Sequence, residues 1–189
     1  MLVSIAIEYL RSAKHGEKSF VAFLYCNYQR QTEQNAENLL AAILRQFAEQ
    51  CTSVPEPVKA LYTSRDSKNA LPSIEKTSEA ISTIIKRQDR VFLIVDALDE
   101  CSKTTRGTIL ERIRYLQKHT KARFMATSRP DDGIKRAFEG ATQLEIRAQE
   151  EDVEKYLANQ MDKLSECVKG NASMQQDIKK CIAEVVDGM

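Results

Sequence analysis

The 189-residue chain lacks a paired-cysteine motif, a strong excess of charge and a long apolar run. Its five cysteines lie far apart, are odd in number and form no CxxC pair, which argues against a disulfide framework or a zinc site. We therefore expect reduced thiols in a cytoplasmic protein. The 28 Lys and Arg residues nearly balance 27 Asp and Glu residues, so no global field favours nucleic acid or an anionic membrane.

The N-terminal run MLVSIAIEYL could be mistaken for a signal peptide, but it contains Glu8 and has no basic leader. No apolar run approaches the roughly 20 residues that span a bilayer, so we expect no membrane partner. What the chain does contain is an ordinary globular composition, 42% hydrophobic and 29% charged. Its length suits one full-sized domain with a real core.

Apolar runs and helical stripes alternate along the chain. Continuous apolar runs predict buried strands, and stripes at helical spacing predict helices between them. The strands are predicted at Phe20–Cys26, Val91–Val95, Ala122–Thr127 and Gln143–Arg147. The opening helix is predicted to present Leu2, Ile5, Ala6, Tyr9 and Leu10 on one face and to end near Gly16. A second predicted helix has an apolar stripe of Leu39, Leu40, Ile43, Leu44 and Phe47. A third is predicted to start at Pro72. This order predicts an α/β fold with a mostly parallel sheet between helices.

The rest of the helical pattern follows the same logic. A short helix within residues 55 to 72, a helix with Ile109, Ile113 and Leu116, and one near Asp132–Phe138 are predicted. Two helices close the chain. The first is expected to bury Val153, Tyr156, Leu157, Met161 and Leu164, and the second presents Ile178, Cys181, Ile182, Val185 and Val186 on one side.

Acidic side chains follow the strongest predicted strand, in VFLIVDALDE. In parallel sheets ligands bind at the carboxyl ends of the strands. Partly burying a charged carboxylate at the end of a strand costs free energy, so its presence there indicates a function. The usual function is to bind a hydrated Mg²⁺ beside nucleotide phosphates. We predict that Asp96 holds the metal and that Asp99 or Glu100 positions or deprotonates the attacking water. The alternative is a strand that runs into a solvated acidic turn.

A cation follows the next strand, in ARFMATSRP. This strand delivers Thr127, Ser128 and Arg129 to the same edge of the sheet, where Arg129 could sense a terminal phosphate. The alternative is an arginine that forms a surface salt bridge.

Together, VFLIVDALDEC and ARFMATSRP resemble the NACHT domains of STAND-class signalling ATPases, which are P-loop NTPases. The similarity is strongest to fungal NACHT proteins with ankyrin or WD repeats, often described as nephrocystin-like N-terminal domains. The segment FLYCNYQRQTEQNAENLLAAILRQF is also similar to the second strand of that family and the helix after it. The resemblance implies a Mg²⁺ role for Asp96, a hydrolytic role for Asp99 and Glu100, and a nucleotide-sensing role for Arg129 with Ser128. Ala97 stands where many relatives have Gly.

The chain contains no GxxxxGK[ST] motif, the turn that cradles nucleotide phosphates in this class. We therefore expect a P-loop NTPase three-layer sandwich that is incomplete, with its first strand and its phosphate loop upstream of residue 1. In relatives that strand lies between the strands at residues 122–127 and 143–147. Its absence predicts either a gap there or a collapse of Gln143–Arg147 onto its neighbour.

The resemblance implies two functions that stay open. The first is a fragment of a nucleotide-dependent signalling switch, with residues 1–147 as the core lacking Walker A and residues 148–189 as its C-terminal helices. It would use Mg²⁺ and ATP or ADP in the complete protein, bind nucleotide only with Walker A supplied upstream, and be inactive as an isolated chain. The second is a nucleotide-free module that associates with full-length NACHT relatives. A third possibility is an unrelated α/β binding domain whose acidic residues are incidental.

Overall fold

A computed structural model describes residues 2–12, 19–63, 72–146, 150–161 and 163–187. The elements, in chain order, are α1 (Leu2–Arg11), β1 (Phe20–Tyr25), α2 (Ala36–Glu49), α3 (Glu56–Thr63), α4 (Ile74–Ile85), β2 (Val91–Asp96), α5 (Lys103–His119), β3 (Ala122–Ala126), α6 (Asp132–Ala137), α7 (Glu150–Met161), α8 (Glu166–Lys169) and α9 (Ala172–Asp187), with 3₁₀ turns at Tyr28–Arg30 and Leu98–Glu100. One compact unit ends at Glu139, and a second begins at Gly140.

The first unit is built on a parallel sheet with strand order β1-β2-β3. Phe20 lies beside Val91, and Val91 lies beside Ala122, so the three strands start and end level with one another. The predicted α/β class is confirmed, because helices flank this parallel sheet as in a partial NTPase-like fold. Level parallel strands place their carboxyl ends at one edge, which is where the acidic turn lies.

Successive strand residues point to opposite sides of the sheet, so the continuous apolar runs of β1 and β2 make both faces of these two strands apolar. On one face, alternate residues of β1 and β2 pack with α2, α4 and α5. The fully buried helix residues of this core include Leu40, Phe47, Ile81, Ile85, Ile109, Ile113 and Leu116. On the other face, Val21 and Ile94 form a smaller cluster with Val3 and Ile7 of α1. The helical stripes predicted for α2 and α5 are confirmed by this burial.

Helix α1 packs on the sheet through a different stripe from the one predicted. Val3 and Ile7 are buried, whereas Leu2, Ile5 and Tyr9 are more than half exposed. The short helix is apolar nearly all round, so periodicity alone could not select its buried side. The predicted stop at Gly16 lies outside the described residues.

Helix α4 begins at Ile74, two residues after the predicted start at Pro72. Ser73 is its N-cap and accepts a hydrogen bond from the N–H of Lys76, so Pro72 precedes the cap rather than occupying the first turn. The other predicted elements of this unit form within one or two residues of their expected bounds.

The outer edge of β1 is covered by glutamine side chains instead of another strand. Each primary amide accepts from one backbone N–H and donates to one backbone C=O, which satisfies the groups that an edge strand would otherwise expose. The pairs are Gln50 with the N–H and C=O of Val21 (both 2.9 Å), Gln46 with those of Phe23 (3.0 and 2.8 Å), and Gln34 with the N–H of Asn27 and the C=O of Tyr25 (both 2.9 Å). The sheet is therefore closed on the β1 side.

The predicted strand at Gln143–Arg147 is wrong for the residues that are described. Residues 142–146 are irregular, and Leu144 and Ile146 are 83% and 64% exposed; residue 147 lies outside the described part. A strand needs a neighbour to receive its backbone hydrogen bonds, and the sheet built by the described residues has only three strands. Within the described residues, the sheet has β3 at one edge and residues 142–146 form no strand.

The second unit consists of α7, α8 and α9, which pack on one another. Leu157 of α7 is buried as predicted, but Tyr156 is 62% exposed, contrary to the prediction. Val153 and Leu164 are half-buried, and the side chains of Met161, Val185 and Val186 lie outside the described part. Among the helices that the structure describes, none has the length and apolar character to cross a bilayer.

Candidate functional site at the carboxyl edge of the sheet

The carboxyl ends of β2 and β3 are joined through Thr127, the residue that follows β3. Its N–H donates to Val95 O (3.0 Å), and its C=O accepts from the N–H of Leu98 (2.8 Å). Its hydroxyl accepts from the N–H of Ala97 (3.0 Å) and donates to Asp96 Oδ1. Thr127 therefore fixes both the last carboxylate of β2 and the start of the turn that follows it.

That turn begins with a left-handed residue. Ala97 has φ 53° and ψ 51°, and the 3₁₀ turn Leu98–Glu100 follows it directly. An L-residue in this region costs on the order of 1 kcal/mol relative to Gly, which is why glycine suits the position. The hydrogen bond from the Ala97 N–H to Thr127 offsets part of this strain and holds the acidic turn against β3.

Within this turn, Asp99 is bound by Arg129. The Arg129 backbone N–H lies 3.1 Å from Asp99 Oδ1, and its Nε lies 2.7 Å from Oδ2. A terminal guanidinium nitrogen lies 4.0 Å from Glu100 Oε1. The hydrogen bond and charge of Asp99 raise the pKa of Arg129, so the guanidinium stays protonated. The Arg129 side chain is 77% exposed and that of Asp99 only 11%, so the salt bridge considered as the alternative for Arg129 does form.

Glu100 connects the acidic turn to the segment after β1. Its Oε2 accepts from the N–H of Tyr28 (3.2 Å), and its backbone C=O accepts from the side-chain amide of Gln31 (2.8 Å). The Cys26 N–H donates to Asp96 O (3.0 Å). Three strand ends thus contribute to one site.

The structure brings four of the five predicted site residues into a connected group: Asp96, Asp99, Glu100 and Arg129. Ser128 is exposed at the same strand end, and within the described part of the chain it makes no hydrogen bond. Thr127 was expected only to reach this edge, and no role in holding Asp96 was predicted for it. The sequence signal that could have revealed this role of Thr127 is a polar residue directly after an apolar strand.

Two cysteines that sequence reasoning treated as isolated also meet at this edge. The sulfur atoms of Cys26 and Cys101 lie 2.8 Å apart, and each residue is only 7% exposed. The hydrogen bond between the thiols lowers the pKa of Cys101, whereas the same contact and burial raise the pKa of Cys26. No local motif could have revealed the pair, because the two residues are 75 positions apart.

Asp131 caps the helix that follows the Arg129 segment. Its Oδ1 accepts from the N–H of Ile134 (2.8 Å), and Arg106 lies 3.7 Å from the same oxygen. The hydrogen bond from Ile134, with the charge of Arg106, lowers the pKa of Asp131 below its ordinary 3.8. The cap fixes where the chain turns away from the site.

The predicted Mg²⁺ role concerns a single carboxylate at this edge, that of Asp96. Among the described residues, no cluster of three or more His, Cys, Asp or Glu side chains could hold a metal ion. Mg²⁺ bound to a nucleotide usually keeps several waters and takes one or two carboxylates together with phosphate oxygens. Asp96 offers one such carboxylate, half-buried and oriented by Thr127, so the residues present fit that mode of binding.

Comparison with known proteins supports one family. A family model described as Nephrocystin 3, N-terminal, matches residues 1–129, which is more than half of the chain and includes every predicted site residue. No match was found among the curated proteins or among the solved structures.

Proposed function

The chain belongs to the nephrocystin 3 N-terminal family, and from this premise we propose that it carries the metal and sensor edge of a NACHT-type, nucleotide-dependent signalling switch. The observation that carries the proposal is the convergence of Asp96, Asp99, Glu100 and Arg129 at the carboxyl ends of parallel strands. Ligands bind at that edge in open α/β sheets.

Each side chain has a separate role in this proposal. Asp96 holds the hydrated Mg²⁺ of ATP or ADP, an ion that neutralises phosphate charge. Glu100, at 27% exposure, is better placed than Asp99 to orient a water, because both Asp99 oxygens accept hydrogen bonds from Arg129. The terminal guanidinium nitrogens of Arg129, one of which lies 4.0 Å from Glu100, belong to a side chain that is 77% exposed, so a phosphate can approach them; exposed Ser128 can contact the same anion.

The phosphate cradle comes from residues that this sequence does not contain. In the sheet that the described residues build, we expect a strand leading into such a loop to join beside β3, because glutamine amides already satisfy the β1 edge. This position would bring the loop next to Thr127 and Arg129. The isolated chain is accordingly expected neither to bind nucleotide nor to hydrolyse ATP.

The test compares this chain with a longer one that includes its native upstream coding sequence. We expect Mg²⁺-dependent binding of a fluorescent ATP analogue only by the longer chain, where that sequence contains GxxxxGK[ST]. Asp96→Asn in the longer chain should weaken binding at least tenfold. Asp89→Asn is the matched control, since Asp89 lies just before β2 at the opposite end and pairs with exposed Lys121.

Two results would overturn this proposal. One is a longer chain that binds the analogue equally well with Asp96→Asn. The other is a native transcript that begins at Met1, because no phosphate loop would then be available.

A second candidate is a nucleotide-free module that associates with full-length NACHT relatives in the cytoplasm. Two observations favour it. Arg129 pairs with Asp99 within the chain itself, and β3 is an edge strand of the described sheet. Sedimentation of the chain with a full-length relative separates the candidates. Association that is unchanged by ATP and by Asp96→Asn supports this second function.

A further inference from the structure

We propose that Cys26 and Cys101 form an oxidisable dithiol, and that their disulfide clamps the acidic turn to the end of β1. The two sulfur atoms lie 2.8 Å apart. A disulfide requires a separation of about 2.05 Å, so the sulfurs need to approach by only about 0.8 Å. The other three cysteines offer no comparable geometry: within the described residues, none of them contacts another cysteine.

The position of the pair gives the disulfide a local consequence. Cys101 directly follows Glu100 and closes the 3₁₀ turn, since its N–H donates to Leu98 O. Cys26 directly follows β1, two residues before the Tyr28 N–H that binds the Glu100 carboxylate. A covalent bond here would add to that hydrogen bond and keep Glu100 against the segment after β1. Oxidation would thus limit the freedom of the turn that contains Asp99 and Glu100.

The oxidant that we name is a hydroperoxide, with hydrogen peroxide as the simplest case. One thiolate attacks a peroxide oxygen, forming S–O while O–O breaks, and the departing hydroxide takes a proton to become water. The second thiol attacks the sulfenic sulfur, forming S–S while S–O breaks, and a second water leaves. The two thiols lose two electrons and two hydrogens, and the peroxide is reduced to two waters. A dithiol reductant reverses the change.

The test is the pattern of pairing in the native chain. The full chain is treated with equimolar hydrogen peroxide, its remaining thiols are alkylated, and its non-reduced peptides are mapped by mass spectrometry. We expect a Cys26–Cys101 linked peptide as the main disulfide, although Cys167 and Cys181 are far more exposed. In denaturing urea this preference should vanish, because five cysteines allow ten pairings.

The clamp itself is tested by unfolding. Oxidation should raise the urea midpoint, because the bridge would constrain a loop of 75 residues in the unfolded chain. Dithiothreitol should reverse the rise, Cys51→Ser should retain it, and Cys101→Ser should lose it. Circular dichroism before oxidation is used to check that both variants fold.

Three outcomes overturn the proposal. In the first, Cys26 and Cys101 are recovered as thiols or as over-oxidised sulfur while exposed cysteines react. In the second, the linked peptide is no more abundant in the native than in the denatured chain. In the third, the peptide forms but the urea midpoint stays unchanged or falls.

Discussion

The hydroxyl of Thr127 donates a hydrogen bond to the carboxylate of Asp96, across the boundary between β3 and β2. The same oxygen accepts from the N–H of left-handed Ala97. A single side chain therefore orients the predicted metal ligand and holds the turn that presents Asp99 and Glu100. The order of the site depends on Thr127 as well as on its acidic residues.

Replacing Thr127 with Val should test that dependence. The change removes a donor and an acceptor at a half-buried position while keeping the shape, so the Ala97 N–H and one Asp96 oxygen lose their partner. We expect a loss of about 1–3 kcal/mol in the free energy of unfolding, measured by urea denaturation. Thr127→Ser keeps the hydroxyl and should lose about 1 kcal/mol or less. Equal losses in both variants would contradict a hydrogen-bonding role.

The glutamine-covered edge of β1 gives a second prediction. Gln46→Ala removes both hydrogen bonds to the Phe23 backbone, at a partly buried position. Water can replace them only in part, so we expect a loss of about 1–2 kcal/mol in the free energy of unfolding. Gln117→Ala on the exposed face of α5 is the matched control and should change it by less than about 0.5 kcal/mol. If Gln46→Ala and Gln117→Ala change the free energy of unfolding equally, water satisfies the backbone groups of the β1 edge as well as the Gln46 amide does.

The stripe that α1 buries can be checked with a pair of isoleucines. Ile7 is 6% exposed and packs in the small cluster with Val21 and Ile94, whereas Ile5 is 58% exposed. Ile7→Ala should lower the free energy of unfolding by about 2–4 kcal/mol through lost burial and a cavity. Ile5→Ala should change it by less than about 0.5 kcal/mol. A larger loss for Ile5→Ala than for Ile7→Ala would show that α1 buries the face predicted from the sequence.

Asp131 predicts a dependence of stability on pH. Because its pKa is lower in the folded chain than its ordinary 3.8, its contribution to stability is fully present above that value. The contribution is lost as the pH falls through the lower, folded pKa. Asp131→Asn can still cap α6 but cannot titrate, so its urea midpoint should fall less than that of the wild type between neutral pH and pH values below 3.8. Asp132→Asn is the control, and its urea midpoint should fall with pH as much as that of the wild type. If the urea midpoints of all three proteins fall equally with pH, Asp131 is not the source of this pH dependence.

The elements that could be predicted from sequence are those with a strong local signal. Val91–Asp96 and Ala36–Glu49 formed close to prediction because a continuous apolar run and an amphipathic stripe each have one compatible structure in a buried setting. The predicted strand at residues 143–147 did not form in its described part, since strand formation depends on a neighbour that no local pattern supplies. The buried side of α1 was missed because its residues are apolar on several sides.

The sequence by itself determined that acids and a cation follow two apolar strands, and therefore that Asp96, Asp99, Glu100 and Arg129 share one edge of a parallel sheet. Only the tertiary structure decided which of them bind one another: Arg129 pairs with Asp99, Thr127 holds Asp96, and Glu100 reaches the segment after β1. Only the tertiary structure brought Cys26 to Cys101 across 75 positions. The physical reason is that strand order and register set distances between residues far apart in the chain, whereas composition and periodicity describe only near neighbours.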